Sequence, residues 1–164
     1  MINNKWFCEP DPYREKYCFF YLETKNKDSN ESIKLWKSGI GNLNSISCQD
    51  QSEQEDEKDV IKSLIHHVKD WRRKNILMIT DSEKTIPILR TRIAAYDIDE
   101  IILSTINSVS LEHLINKYMS CPTDINIQYI CNLFHINTEK NNEPELIRKI
   151  FQKIIKLIPS EEIA

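Results

Sequence analysis

Apolar side chains fall in short runs separated by polar segments, and in the first third of the chain their spacing predicts strands. Residues 17–23 are aromatic and almost continuously apolar, as expected for a central strand that is buried on both faces. Residues 32–37 and 43–48 alternate polar and apolar side chains, which is typical of half-exposed strands. Because polar segments join these runs in sequence, we expect the three strands to form an antiparallel meander.

From residue 60 onward the spacing is mainly that of amphipathic helices. In the clearest example an apolar stripe runs from Val60 to Trp71, and a basic cluster follows it that suits the negative end of the helix dipole. Two short apolar runs, at residues 76–80 and 101–103, are predicted strands. The other helices are predicted to start at capping or first-turn residues: Asp81 or Ser82, Ser110, Asp124 or Asn126, and Pro144.

The resulting order, β-β-β-α-β-α-β-α-α-α, predicts an α/β fold. Its expected core is a mixed sheet in which three antiparallel strands are followed by parallel strands, with helices on both faces. The strand at 76–80 is expected to run parallel to the first strand, because a helical crossover joins parallel neighbours. The length suits one domain, so we assign residues 1–164 to a single domain with an N-terminal extension at 1–16.

Charge and composition narrow the classes of partner. The net charge is −3, whereas a protein that binds DNA on its own is usually basic. No apolar run approaches the roughly 20 residues that span a bilayer, and residues 1–6 lack the apolar core of an export signal. We therefore expect an intracellular protein, nuclear or cytoplasmic, that has no membrane partner and contacts nucleic acid weakly or indirectly.

The glycine and cysteine content argues against several kinds of site. The two glycines are Gly39 and Gly41, so the chain has no phosphate-binding glycine-rich loop of the kind found in P-loop NTPases and dinucleotide-binding domains. The five cysteines form no Cys-x-x-Cys pair, which indicates reduced structural thiols. His66 and His67 are adjacent on a predicted helix, so they point to different faces and do not clamp one metal ion.

Three stretches carry a resemblance to a known family. The first stretch, residues 19–24, reads Phe-Phe-Tyr-Leu-Glu-Thr and ends a predicted strand. The second, residues 79–92, contains a strand, a turn and the helix start Lys-Thr-Ile-Pro-Ile-Leu-Arg-Thr-Arg. The third, residues 127–136, precedes the last helix. The first two stretches resemble the first and second motifs of ribonuclease H-like 3′–5′ exonucleases, which include the proofreading domain of family-B DNA polymerases. The third resembles the region that leads into the third motif of these enzymes. The order of elements is that of the same family. The resemblance covers roughly residues 17–157 and implies an exonuclease-like fold.

The chain departs from this family at the metal-binding positions. The resemblance implies four carboxylates that hold two divalent metal ions. The first-motif aspartate falls on Tyr21, its partner acid is retained as Glu23, and the second-motif aspartate falls on Thr85. The third-motif helical acid falls on Glu143 or Glu145, and the Tyr or His general base has no clear counterpart. Because Mg²⁺ needs several anionic oxygens, we expect an inactive relative without a metal cofactor.

A second pattern in the same region supports a different enzyme. Asp11 after a proline, followed by Glu23, Thr24 and Lys25, matches the Pro-Asp…Glu-x-Lys pattern of restriction-type nucleases. In that chemistry the two acids hold Mg²⁺ and the lysine positions or activates the attacking water. Prolines flank Asp11 on both sides and favour a turn over a strand. The alternative interpretation is that Asp11 and Lys25 are surface residues and that Glu23 ends a strand.

A basic cluster and an acidic segment are the candidate sites for charged partners. Lys69, Arg72, Arg73 and Lys74 are possible phosphate contacts, with Trp71 stacking on a base. The favoured alternative is that these cations cap a helix whose Trp71 lies in the core. Residues 49–58 are rich in acids and are predicted to form a surface loop.

The last predicted helix is the candidate surface for a protein partner. Its apolar positions cover more than one stripe, so the helix needs cover on two sides. Phe151 and Ile155 are the residues we expect to anchor a partner. The alternative is that other parts of the same domain bury them.

The leading hypothesis from the sequence is a non-catalytic, nuclease-derived domain that binds a protein in a DNA replication, repair or recombination assembly. The DNA context follows from the resemblance alone. Two alternatives remain: an active Mg²⁺-dependent nuclease that uses Asp11, Glu23 and Lys25, and an α/β interaction domain unrelated to nucleases.

Overall fold

A computed structural model of the chain describes residues 17–27, 30–98, 107–120 and 126–158. The elements in these ranges are β1 (Tyr17–Lys27), β2 (Asn30–Gly41), β3 (Ile46–Gln51), α1 (Glu57–Arg73), β4 (Leu77–Thr80), α2 (Thr85–Ala95), β5 (Ser108–Ser110), α3 (Leu111–Tyr118), α4 (Ile127–Leu133) and α5 (Glu143–Ile155). In this part of the chain, no helix combines the length and the apolar character needed to cross a membrane.

The strands form one mixed sheet in the order β3-β2-β1-β4-β5. β1 pairs with β2 and β2 with β3 in antiparallel fashion, whereas β4 is parallel to β1 and β5 is parallel to β4. Phe20 of β1 pairs with Thr80 of β4. The predicted mixed α/β sheet and the parallel pairing of the fourth strand with the first are confirmed.

Helices cover both faces of the sheet, as predicted, and each face has its own core. Along β1 successive side chains point to opposite faces. Tyr17 and Phe19 pack into the core that α3, α4 and α5 cover. Cys18 and Phe20 pack into the core that α1 and α2 cover. β1 is therefore the buried central strand that its continuous apolar run indicates.

Two tryptophans organise the core beneath α1. Trp36 of β2 is fully buried, and its indole N–H donates to Val60 O at 3.2 Å and to Ser63 Oγ at 3.1 Å. Trp71 is 5% exposed and packs edge-on against Trp36, with ring centroids 6.4 Å apart. The idea that Trp71 stacks on a nucleic-acid base is therefore wrong, because the fold buries the ring.

A network around Glu57, the first residue of α1, joins three elements. Its carboxylate accepts hydrogen bonds from Arg92 Nη2 at 2.5 Å, from the Tyr96 hydroxyl at 2.7 Å and from the Ile33 N–H at 2.5 Å. The Glu57 side chain is 9% exposed and that of Arg92 is 23% exposed. Arg92 belongs to the stretch that resembles the second exonuclease motif, and its guanidinium group binds Glu57 and so links α2 to α1.

The meander differs from the prediction in its boundaries. β1 continues to Lys27 instead of ending at residue 23, β2 extends through Gly41, and β3 begins at Ile46 rather than at residue 43. A Cβ atom on Gly41 would collide with Ser45 O and would lie 2.7 Å from Ile46 Cα, so the backbone approaches too closely there for a larger residue. Asn42 closes the connecting loop, because its Oδ1 accepts from the N–H of Ser45 at 3.0 Å.

The predicted acidic loop at 49–58 is shorter than expected. Its first three residues belong to β3, and its last two, Glu57 and Lys58, belong to α1. The connection is anchored at Ser52, whose N–H donates to Trp36 O at 3.0 Å and whose Oγ accepts from Trp36 N–H at 3.1 Å. Only residues 53–56 form the exposed part of the connection.

Further differences concern short elements. α2 begins at Thr85 and not at Asp81 or Ser82, because Ser82 Oγ accepts from the Lys84 N–H at 3.1 Å within a turn that precedes the helix. β5 is a three-residue strand that the sequence did not predict. Ser110 and Asn126 cap their helices as predicted. The predicted strand at 101–103 and the extension at 1–16 lie outside the described residues.

Candidate functional site

β4 ends at Thr80, beside Phe20 in the middle of β1, which continues to Lys27 as the antiparallel partner of β2. Since Phe20 pairs with Thr80, the next residues, Tyr21 and Asp81, follow the paired positions side by side. Ligands of α/β proteins usually bind beyond the carboxyl ends of adjacent parallel strands. Glu143, the first residue of α5, is close enough to act electrostatically on Tyr21. We therefore take the side chains around Tyr21 as the candidate site.

Tyr21 stands where the exonuclease resemblance expects the first aspartate. Its side chain is half-buried. Burial raises the pKa of its phenol, and the charges of Glu23, Glu143 and Asp81 raise it further, in that order. The hydroxyl therefore remains protonated at neutral pH. The first-motif position holds a neutral donor among three acids.

Lys37 brings a positive charge to the same place. It lies opposite Tyr21 in the β1–β2 register, and its Nζ donates a 2.9 Å hydrogen bond to Glu143 Oε2. Burial raises the pKa of Glu143, but the hydrogen bond from Lys37, a backbone hydrogen bond and the charge of Lys37 outweigh it and lower the pKa. The candidate third-motif acid is thus a carboxylate neutralised by a lysine of the same chain.

Thr85, at the second-motif position, is bound to a different acid. Its hydroxyl lies 3.5 Å from Asp81 Oδ1, to which it donates. The pKa of Asp81 is raised, mainly because the carboxyl group is buried and also because of the nearby charge of Glu112. Hydrogen bonds from the backbone N–H groups of Asp81 and Ser82 and from the Thr85 hydroxyl lower this pKa, but they only partly offset the effect of burial. Glu112 Oε2 itself accepts from Ser82 Oγ at 3.1 Å. The acids at the end of β4 therefore interact with hydroxyl and amide groups of the protein.

The sequence did not single out Asp81, Lys37 or Glu112 as site residues. One signal was present for Asp81, because it directly follows a buried strand that was predicted to run parallel to the first. Lys37 and Glu112 become neighbours of the site only through the β1–β2 register and the position of α3. No sequence pattern indicated these two residues.

The donor set does not suit a two-metal centre. Glu23 pairs with Lys34 at 3.8 Å, and Glu145, the alternative third-motif acid, pairs with Arg148 at 2.8 Å. Within the described ranges, no three His, Cys, Asp or Glu side chains are grouped so that they could hold a metal ion. Divalent cations need several free anionic oxygens, whereas the acids here are largely engaged with donors of the protein.

The residues of the restriction-type pattern are only partly within the described residues. Asp11 lies outside them. Glu23 and Lys25 are two residues apart on β1 and so share one face of the strand. Lys25 is exposed, and the ion pair that the structure shows for Glu23 is with Lys34 of β2. The grouping of Asp11 with the other two residues stays a prediction.

The basic cluster at the end of α1 forms a helix terminus. Lys69, Arg72, Arg73 and Lys74 are all exposed. Two of them bind the same acid: Arg73 Nη2 lies 2.5 Å from Asp70 Oδ1, and Lys74 Nζ lies 3.0 Å from Asp70 Oδ2. Hydrogen bonds from Lys74 and then Arg73 lower the pKa of Asp70. The cations at the end of α1 are thus partly neutralised within the helix.

One of the two expected partner anchors is wrong. Phe151 has no exposed surface, because it packs between the sheet and the helices on its face, with its ring centroid 5.3 Å from that of Tyr17. It therefore cannot touch a partner of the folded chain. Ile155 is half-buried, so its role at a surface stays a prediction.

A cavity of about 250 Å³ opens beside Asp81. Its described lining is mostly apolar and comes from the end of β4 and from the helices on that face: Asp81, Ser82, Leu111, Ile115, Asn126, Ile127, Ile130 and Ile150. None of these lining residues is basic. The described part of the cavity thus offers hydrocarbon, and not phosphate-binding cations, next to the candidate site.

Comparisons with known proteins do not assign the chain to a family. No protein-family model matches the sequence, and a search of curated proteins finds no significant match.

Proposed function

We propose that this chain is a nuclease-derived domain without catalytic activity, which acts as a protein-interaction module in a DNA replication, repair or recombination assembly. The proposal includes a ribonuclease H-like fold and a nuclear or cytoplasmic location. The order of strands and helices supports it, as do the three motif-like stretches. The observation that carries it is Tyr21, a neutral hydroxyl at the first-motif position, with Lys37 bound to the acid at the third-motif position.

The chemistry of the site supports a loss of catalysis. In the two-metal mechanism, free carboxylates hold the ions that stabilise the attacking and leaving oxygens. Here Tyr21 and Thr85 supply hydroxyl groups where the resemblance expects carboxylates, and Lys37 supplies an ammonium group. These groups stabilise the fold by hydrogen bonds and charge neutralisation without a metal ion.

Surface charge supports a protein partner over naked DNA. The net charge is −3, and Glu53, Glu55 and Asp56 are exposed at the connection before α1. Phosphate binding draws much of its free energy from Lys and Arg that displace counterions. An acidic domain of a DNA-processing assembly is therefore better suited to bind a protein that itself contacts DNA.

The first prediction tests catalysis directly. Incubation of the full chain with single- and double-stranded DNA and Mg²⁺ or Mn²⁺ is expected to give no cleavage above the buffer background. Glu23→Ala is expected to behave identically. Metal-dependent cleavage that disappears in Glu23→Ala would contradict the proposal and favour the active nuclease that uses Asp11, Glu23 and Lys25.

The second prediction restores carboxylates to the site. In the double variant Tyr21→Asp, Lys37→Met, the new carboxylate joins Glu23, Glu143 and Asp81 without a neutralising lysine. Like charges then repel one another, and a divalent ion that binds the native state stabilises it. We expect 5 mM MnCl₂ to raise the thermal midpoint of this variant by about 3 °C or more.

The matched control is Tyr21→Asn, Lys37→Met, which has nearly the same shape and lacks the new charge. Its midpoint is expected to respond to MnCl₂ no more than that of the wild type. An equal response of the aspartate and asparagine variants would show that the acids do not converge on the position of Tyr21.

A further inference from the structure

We propose that the open edge of β3 binds a Lys- and Arg-rich extended segment of a partner protein, which pairs with it as an additional strand. The inference rests on the proposed function, because it names the chemistry of the partner that the interaction module takes. Such β-strand addition combines main-chain hydrogen bonds with side-chain contacts on alternate residues.

Among the described strands, β3 is the last on its side of the sheet. Within the described residues, no strand pairs with its outer edge. Gln51 lies opposite Lys37 in the register, and one residue further Ser52 N–H donates to Trp36 O at 3.0 Å. In an antiparallel ladder the backbone groups of successive residues point alternately toward the neighbouring strand and away from it. Since the Ser52 N–H points toward β2, the N–H and C=O groups of Gln51 and Gln49 point away from β2, toward the outer edge. Their backbone groups are therefore positioned to pair with an added strand.

The β3 edge has few of the features by which natural proteins prevent an edge strand from pairing with another chain. Lysine and proline are common guards of exposed edge strands, and β3, Ile-Ser-Cys-Gln-Asp-Gln, contains neither. One irregularity lies at its start, where the register with β2 shifts between Ile40 and Gly41. Residues 48–51 beyond this irregularity are regular and exposed. They offer a short edge of about four residues.

The charge beside this edge is negative. Asp50 projects from β3 and contacts His67 Nε2 at 3.3 Å. Glu53, Glu55 and Asp56 follow directly and are exposed, and the described residues show no ion pair for them. Opposite charges on neighbouring strands attract and like charges repel. A strand that adds to β3 therefore fits best if it carries Lys and Arg.

A polar groove next to β3 supplies the places for such side chains. It has a volume of about 320 Å³ and lies between β3 and the start of α5. Carboxylates and carboxamides dominate its described lining, which consists of Lys37, Gln49, Asp50, Gln51, Glu53, Asn142 and Pro144. Gln49 Oε1 already accepts from Asn142 Nδ2, so Asp50 and Glu53 are the lining residues that best accept the N–H donors of a guanidinium or ammonium group.

The same charge argues against two other occupants. A second copy of the chain paired edge to edge around Asp50 would bring this side chain close to its own counterpart, which is unfavourable. A DNA strand would place phosphates against Asp50 and the acids that follow Gln51. Of the possible occupants, a basic protein segment is the one whose charge complements this surface.

The test uses a fluorescein-labelled 12-residue peptide with the repeat Arg-Val-Lys-Thr and measures its fluorescence anisotropy with the full-length chain. Binding is expected, and it weakens as NaCl is raised because part of the attraction is between exposed charges. Gln51→Pro removes one outward N–H without removing a ladder bond, and it is expected to weaken binding about tenfold. Gln51→Thr keeps the N–H and is expected to stay within about twofold of the wild type.

Three results would overturn the inference: no binding of the basic peptide, equal binding by both Gln51 variants, or equal binding of a control peptide with the repeat Glu-Val-Glu-Thr. A dimer of the wild type that Gln51→Pro dissolves would also overturn it, since the edge would then serve a second copy. Circular dichroism of both variants confirms that each one folds. These outcomes are separable from the nuclease assay, because metal-dependent cleavage would reject the proposed function whatever the peptide does.

Discussion

Replacement of Arg92 by methionine is expected to lower the free energy of unfolding by about 3 kcal/mol at pH 7. Methionine keeps much of the length and hydrocarbon of the arginine and removes its charge and donors. The Glu57 carboxylate, only 9% exposed, then loses the bidentate partner that donates through Nε and Nη2. We place the loss at the lower end of the range for broken buried ion pairs because Arg92 is 23% exposed.

The effect is expected to shrink in acid. Burial raises the pKa of Glu57, but hydrogen bonds from Arg92, Tyr96 and the Ile33 N–H, together with the charge of Arg92, outweigh it and place the pKa below its ordinary value of 4.5. A lowered carboxyl pKa stabilises the fold fully above the unfolded pKa, and the stabilisation is lost as the pH falls through the folded pKa. The wild type and Arg92→Met should therefore differ most near pH 7 and progressively less below pH 4.5.

Urea unfolding followed by circular dichroism at several pH values measures this difference. The control is Arg90→Met, which removes an exposed arginine from the same helix and is expected to change the unfolding free energy by less than about 0.5 kcal/mol. A similar loss in both variants, or a loss for Arg92→Met that does not depend on pH, would contradict the assigned role of Glu57.

Much of the architecture could be predicted from the sequence because two features have strong periodic signals. The continuous apolar run at 17–23 indicates a strand with helices on both sides, and β1 has that position. The stripe from Val60 to Trp71 follows the helical period, and all six residues that α1 buries belong to it. The sequence pattern placed β3 about three residues too early along the chain. Few side chains of this strand enter a core, so its apolar spacing gives only a weak signal for its position.

The candidate site was predictable only in part. Tyr21, Thr85 and Glu143 were found through the motif resemblance, which fixes positions in the sequence but not their neighbours. The contact of Lys37 with Glu143 joins residues 106 positions apart. It depends on the register of β2 against β1 and on the placement of α5, and a single sequence contains no direct signal for either.

The last helix shows why a wide apolar face does not identify an interface. The face of α5 is broad because it packs on β1 and also contacts α3 and α4. Sequence periodicity gives the width of such a face but not the number of neighbouring elements that cover it. The interior position of Phe151 follows from this packing.

Phe151→Ala is expected to destabilise the chain by about 4 kcal/mol, because it leaves a cavity in a fully buried position. The lost ring is 5.3 Å from the ring of Tyr17 and 6.3 Å from that of Phe19, so the cavity opens against the rigid central strand. Thermal unfolding should show a midpoint about 10 °C lower.

Ile155→Ala is the matched control on the same helix, and since Ile155 is half-buried we expect a loss of about 1 kcal/mol. A variant Phe151→Ala that unfolds like the wild type would contradict the buried position of the ring. If instead Phe151→Ala loses stability as expected, any weaker binding of a partner by this variant reflects unfolding. Binding by Ile155→Ala, measured at a temperature where both it and the wild type are folded, then reports separately on whether the outer face of α5 contacts the partner.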